Sequence, residues 1–292
     1  MSTSKSESTA LELNWSITLP TGVPLSIILP RIVRTFEDFI KVDIYTGDSD
    51  PVYWAIARAT DKYGFPWASR FCVAMLTYYH TGTACIAADH EGDDFWEYLD
   101  SVYETAPRAS ERRHFRGHAG KDALHNMRKL YPDANVWFHI FKPTYLDVSR
   151  TCQARLCQFG PYFQLKVCDY MMCLGIPITS WLGLERNLPT EPTRALQVMY
   201  AGSNSIPVRF LEVVRSVQGK GITAPPWFDR EVGPSEVETS LCGWKTSKFK
   251  GNWFGADIKD KRESLKGYGG KAKELIEMMP PVPSRNQFIL QL

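Results

Sequence analysis

Arg112, Arg113, His114, Arg116, His118 and Lys121 fall within the stretch ASERRHFRGHAGKD (residues 109–122), where only Glu111 and Asp122 are acids. A solvated, ion-paired helix face interleaves more acid among its bases. Guanidinium groups stay charged and present a fork of donors that fits two oxygens of a phosphate or carboxylate. The excess therefore describes a place for an anion, with the ion-paired face as the plain alternative. A second pair with chemistry is Lys166 and Asp169, three apart in the stretch 160–169, GPYFQLKVCD. At that spacing both side chains share one helix face, as a pocket pair or as a surface ion pair.

Other chemistries fit less well. His114, His118 and His125 contain an H-x3-H step, but Gly117 and Gly120 are expected to interrupt a helix there and no companion carboxylates follow. Cys152, Cys157, Cys168 and Cys173 are spaced C-x4-C and C-x10-C, which is not the pattern of a zinc ribbon. They lie among Leu, Phe, Val and Met and read as buried small apolar side chains. No phosphate-gripping loop and no dinucleotide fingerprint occur, so neither ATP nor NAD is expected.

The 292 residues are 44% hydrophobic and 23% charged, enough for a sizeable core, and the net charge is only +2. Such a chain does not coat nucleic acid as a polycation, so an anion site must arise from local clustering. The polar start MSTSKSESTALELN lacks a secretory leader, and the seven cysteines are an odd number. Reduced thiols in a cytoplasm follow. No apolar run approaches the ~18 residues that span a membrane, so no membrane is expected as a partner.

The elements that must position these groups read as mainly α-helical. Residues 1–18 are expected to be a flexible N-terminal segment and residues 19–292 a single helical domain, with 235–292 as a candidate subregion. Residues 15–34 are Pro-broken and apolar, an irregular or short extended lead-in. Asp50-Pro51 starts a helix. Residues 67–80 carry Phe71, Met75 and Tyr78 on one stripe, and 93–104, 190–200 and 207–217 give further helices. Ser235 with Glu238 three residues on reads as a capping box, followed by Val237, Leu241 and Trp244 on one face. The best strand signal is NVWFHIF, residues 135–141.

Residues 150–175 read as two short helices joined at Phe159-Gly160, with Pro161 opening the second. Unpaired N–H groups at that second start can hold a backbone phosphate, which makes Gly160 and Tyr162, with Lys121, the DNA-binding candidates. The stretch resembles the hairpin of helix-hairpin-helix DNA glycosylases, and the expected fold is a glycosylase-like, mainly α fold with few short strands. It departs from that family in having Gln158 for the first Gly, Tyr162 for the Schiff-base Lys, and no acid before Glu185 where a catalytic Asp should fall. A base-excision enzyme is thus disfavoured, and a non-catalytic DNA-binding module remains an alternative.

Three stretches together carry a closer resemblance: YGFPWASRFCVAMLTYYHTGTACIAA, PRASERRHFRG and ETSLCGWKTSKFKGNWFGADIKD. Across residues 35–275 the chain resembles the bacteriophage α-glutamyl/putrescinyl-thymine pyrophosphorylases, or amino acid:DNA transferases. The resemblance implies a transferase that displaces pyrophosphate from 5-pyrophosphoryloxymethyluracil in double-stranded phage DNA, using an amino acid or polyamine donor. A separate DNA base kinase would supply the pyrophosphate, and the reaction would run in the cytoplasm of the infected host. No cofactor is required, because the leaving group is already activated, and Mg²⁺ accompanying the pyrophosphate is compatible with the sequence.

Under that resemblance Arg112 and Arg116, four apart, would clamp pyrophosphate as its charge grows. Arg113 would contact a backbone phosphate or pair with an acid. His114 would move a proton, to the leaving group or from the donor, and Glu111 would orient it or pair with an arginine. Tyr78, Tyr79, Trp67 and Trp244 are the aromatic faces available to a flipped base, each with core packing as the plainer role. Tyr79, Lys166, Asp169, Glu238, Trp244 and Lys245 complete the substrate-binding candidates.

Overall fold

The computed structural model describes residues 11–107, 115–200 and 204–292. In chain order its strands are β1 (Glu12–Thr18), β2 (Pro24–Pro30), β3 (Ile32–Val33), β4 (Thr223–Ala224), β5 (Arg230–Glu231) and β6 (Ile289–Leu290). The helices before the midpoint are α1 (Phe36–Thr46), α2 (Pro51–Tyr63), α3 (Phe65–Tyr78), α4 (Thr81–Ala88), α5 (Gly92–Ser101) and α6 (Gly117–Leu130). Those after it are α7 (Tyr145–Arg155), α8 (Pro161–Cys173), α9 (Thr190–Met199), α10 (Ile206–Val217), α11 (Pro234–Lys250), α12 (Ala256–Glu263) and α13 (Lys271–Met278). The mainly helical expectation holds. Among the described residues no helix is long and apolar enough to cross a membrane.

Contacts divide the chain into two compact units, one of Met1–Pro51, Glu185–Asp260 and Pro280–Leu292, the other of Val52–Leu184 and Lys261–Met279. In the first unit β1 and β2 pair antiparallel from Glu12↔Pro30 to Thr18↔Pro24. Of the two readings of residues 15–34, irregular or short extended, the extended one holds, as two strands paired in a hairpin that begins ahead of residue 19. Alternation explains it: Trp15 and Ile17 point inward, and the Trp15 indole N–H donates to the Tyr45 carbonyl at 2.9 Å. Thr35 and Asp38 form a capping box that opens α1. On α11 Gly243 lies against the Phe39 ring of α1, and the Ser240 hydroxyl donates to Asp43 at 2.8 Å. The capping box on α11 is shifted from the expected one. Pro234 is the first helical residue, so Glu236 stands at the third position and accepts from the Gly233 N–H at 2.9 Å. Ser235 and Glu238 lie buried inside the helix.

The second unit is built on two helices buried nearly all round. Every residue of α3 from Trp67 to Tyr78 is buried, as are most of α8 from Gln164 onward. A helix buried on all faces is a core element rather than an amphipathic surface one. The expected strand at 135–141 is a 3-10 helix, Ala134–Ile140, capped by Asp133. Adjacent Trp137 and Phe138 are both fully buried, which strand alternation does not allow on one sheet face. Nor do Gly117 and Gly120 break the helix: α6 begins at the first and runs through the second. Gly120 is there for space, since a Cβ would lie 2.2 Å from the Tyr103 hydroxyl and 2.7 Å from the Phe115 backbone.

Two stability outcomes follow. Gly120→Ala must push aside Tyr103 and the Phe115 backbone, so it should cost about 1–3 kcal/mol, read as a lower urea midpoint. Asp48 caps α12, accepting from the Asp257 and Ile258 N–H groups at 3.1 and 3.2 Å. Burial, aided by the charge of Asp260, raises its pKa to about 6 from 3.8. Between those values the folded protein holds a proton that the unfolded chain has released, so stability falls as pH rises from about 4 to about 6. Asp48→Asn keeps the accepting oxygen and should remove that decline. Urea melts of both proteins across this range should diverge by roughly 3 kcal/mol at pH 7.

Candidate functional site

The end of α3 and the start of α8 meet in the second unit through two tyrosines. Tyr79 terminates α3 in the left-handed region, at φ 49°, with its N–H on the Met75 carbonyl at 2.9 Å. Glycine is the usual residue for that cap, and a bulky side chain there is strained. Tyr162 lies in the first turn of α8, after Gly160 and Pro161. The two rings meet edge to face at 6.4 Å, and the Lys261 ammonium of α12 sits 3.7 Å above the Tyr79 ring.

Beneath Tyr162 lies a charge pair. Lys166 and Asp169 are 4% and 1% exposed, with the ammonium and a carboxylate oxygen 3.4 Å apart. Tyr53 of α2 joins them: Lys166 donates to the Tyr53 hydroxyl, which in turn donates to Asp169 Oδ2. The Lys166 ammonium is 4.7 Å from the Tyr53 ring centre and 5.8 Å from that of Tyr162. The Tyr53 ring is held edge-on by Tyr170 at 6.2 Å. Tyr53 and Tyr162 are half-buried, so two rings form the accessible side and the charges lie below. The surface-ion-pair reading of Lys166 and Asp169 is thereby excluded. A buried ion pair survives desolvation only with good geometry and further hydrogen bonds, and Tyr53 supplies two of these.

Near this cluster His80 caps α4, its Nδ1 accepting from the Thr83 N–H at 3.1 Å. Burial lowers its pKa, and the Lys261 charge adds to the effect. The other aromatic candidates of α3 are core. Tyr78 is fully buried and donates to the Leu99 carbonyl, while Trp67 donates to Asp89 at 2.7 Å.

The basic stretch is only partly visible. Glu111, Arg112, Arg113 and His114 lie outside the described residues. Arg116 is exposed and stands at the N-cap of α6 in extended backbone, so it does not occupy the helix face expected for it. Lys121 pairs with Asp100 at 3.3 Å, and His125 with the same carboxylate at 2.9 Å. These hydrogen bonds, led by that of His125, lower the Asp100 pKa. Among the described residues no three His, Cys, Asp or Glu side chains are grouped to hold a metal ion.

Three further expectations change. Gly160 has ordinary extended backbone, with φ −69°, and a Cβ there would meet nothing. The left-handed residue of the α7–α8 turn is Gln158, at φ 65°. Of the four clustered cysteines Cys157 is exposed, not buried. Glu238, Trp244 and Lys245 belong to the first unit. There Glu238 is 5% exposed, Trp244 6%, and Lys245 is bound to Glu191; that hydrogen bond lowers the Glu191 pKa. The structure thus brings together Tyr79, Tyr162, Lys166 and Asp169, and adds Tyr53 and Lys261, which no local pattern singled out.

No family model matches the chain. It is 34% identical over 257 residues to the putrescinyltransferase of Delftia phage PhiW-14, a match covering 84% of this chain and 82% of that protein. It is 28% identical over 288 residues to the glycinyltransferase of Pseudomonas phage PaMx11, covering 85% of this chain and 97% of that protein. A mainly helical chain so similar, over most of its length, to two phage transferases belongs to the bacteriophage amino acid:DNA transferase family, that of the α-glutamyl/putrescinyl-thymine pyrophosphorylases.

Proposed function

We propose that the protein replaces the pyrophosphate of 5-pyrophosphoryloxymethyluracil in double-stranded DNA with an amino acid or amine, and that the Tyr53–Lys166–Asp169 network and its tyrosines form the reaction site. The observation that carries this reading is a buried ammonium and carboxylate under two half-buried rings. Relatives named for putrescine and for glycine share a primary amine as their only common donor feature. The net reaction forms a bond from the amine to the exocyclic methylene and breaks the C–O bond to pyrophosphate, by direct displacement or by loss of pyrophosphate followed by addition of the amine.

A uracil taken out of the stack needs an apolar face. Tyr162 offers one at the first turn of α8, and Tyr79 braces its edge. Lys261, held over the Tyr79 ring, supplies positive charge close by. The pyrophosphate oxygens gain charge as they leave, which preorganised cations stabilise. Arg112 and Arg116 remain the proposed clamp, with Arg113 for the DNA backbone and His114 with Glu111 for proton transfer. The α7–α8 pair is proposed as the helix-hairpin-helix contact to a phosphate, through Gly160, Tyr162 and Lys121. Glu238, Trp244 and Lys245 are retained as substrate-binding proposals of the first unit.

No cofactor is needed, since the substrate arrives activated by a DNA base kinase, and Mg²⁺ would enter with the pyrophosphate. The reaction would take place in the cytoplasm of the infected host.

The test is a nucleoside mass measurement. DNA bearing 5-hydroxymethyluracil, pyrophosphorylated by the partner kinase, is incubated with the protein and a mixture of amino acids and polyamines. A thymidine derivative heavier by one amine, with free pyrophosphate, is expected. Unchanged DNA would contradict the reading, and abasic sites would point to base excision. In the same assay Tyr162→Ala should slow transfer roughly 10- to 100-fold by loss of base stacking, while Tyr162→Phe stays near the wild-type rate.

A further inference from the structure

We infer that Tyr53 is the catalytic residue that takes the proton from the donor's ammonium, with Asp169 as terminal acceptor and Lys166 as a positioning residue; this rests on the transferase reading above. A peptide's α-amine has a pKa of about 8 and an alkylamine one of about 10.4, and a free amino acid's α-amine lies above the peptide value because its own carboxylate stabilises the ammonium. At pH 7 both are mainly ammonium ions, without a lone pair to attack carbon. Transfer therefore requires a group beside the donor nitrogen that accepts a proton.

The network is arranged for that task. Asp169 has the basic oxygen but is 1% exposed, too deep for a substrate to touch. The Tyr53 hydroxyl is bonded directly to that oxygen, and its ring is half-buried. It is the link between the carboxylate and the accessible side. Lys166 directs a proton at the Tyr53 oxygen and stands 3.4 Å from Asp169. This is the placement of an ammonium that fixes the direction of the Tyr53 hydroxyl, not that of a free amine acting as base. Among the described residues the titratable groups near the hydroxyl include Lys166, Asp169, Tyr162 and Tyr170 of α8, with Tyr79 and Lys261 beyond Tyr162. Cys168 next to Asp169 is inactive here, its thiol pushed well up by burial.

In the step, a donor N–H proton moves to the Tyr53 oxygen while the Tyr53 proton moves to Asp169. The freed nitrogen lone pair forms the bond to the methylene carbon. The electrons of the C–O bond leave with pyrophosphate. Afterwards the Asp169 proton returns through Tyr53 to the departing pyrophosphate or to water.

Tyr53→Phe keeps the ring against Tyr170 and removes only the hydroxyl. With glycine or putrescine, whichever the wild type transfers, the variant should lose about 100-fold in kcat at pH 7 with donor KM unchanged. Methoxyamine is already neutral at pH 7, so the variant should transfer it within about threefold of the wild-type rate. Raising the pH toward the pKa of the natural donor should close the gap for that donor. Equal losses with both donors, or no loss with either, would overturn the assignment, as would a gap independent of pH. Wild type that forms no amine-bearing nucleoside overturns the transferase reading itself, whereas active wild type beside an equally active Tyr53→Phe overturns this inference alone.

Discussion

Lys166 and Asp169 lie one helical turn apart on a helix with almost no exposed surface, and their opposite charges have to be satisfied where water is excluded. A single unpaired charge at that depth would cost about 3–5 kcal/mol. The pair is tolerated because Tyr53 bridges it, accepting from the lysine and donating to the carboxylate. That bridge ties α2 to α8. The other end of α8 depends on the meeting of Tyr162 with Tyr79, which fixes how α3 terminates. The second unit thus sets a polar network of Tyr53, Lys166 and Asp169 among apolar helices.

Strain and burial point to the same spot. A tyrosine in left-handed backbone is a costly helix cap when glycine is available, yet Tyr79 holds that position with its ring between Tyr162 and Lys261. Full burial of a lysine is equally uncommon without a partner. Two such departures within one cluster are what a functional site produces when it overrides local preferences. The first unit shows a different pattern. Its buried acids Asp43 and Asp48 serve packing and the cap of α12, and Lys245 is engaged by Glu191.

Much of the helical order was legible because apolar spacing and proline starts are local, as for residues 190–200 and 207–217. An extended N-terminal segment is among the readings the sequence allows, but its pairing into a hairpin is not legible because the prolines obscure the alternation of Trp15 and Ile17. The strand expected at 135–141 failed because two adjacent aromatics are both buried, which only a helical turn provides. Gly117 and Gly120 were read as breakers, since the need for space beside Tyr103 is a tertiary fact. At the site the Lys166/Asp169 spacing and the Tyr79 and Tyr162 side chains were legible as candidates. Whether the pair was exposed was not, because α8 is buried on every face and so has no polar side to read. Tyr53 and Lys261 left no local trace, standing 113 residues from Lys166 and 182 from Tyr79 in the sequence.

The central claim is that the buried network performs the transfer and is not merely a structural ion pair. The most direct measurement is the transfer rate of the double variant Lys166→Met/Asp169→Asn on pyrophosphorylated DNA, taken together with its melting temperature. Replacing both charges removes the penalty of leaving one unpaired, so the protein should fold with stability near wild type. The account predicts that this folded protein transfers the amine at least about 100-fold more slowly. A double variant that folds and transfers at the wild-type rate would contradict it and leave the network as a structural feature alone.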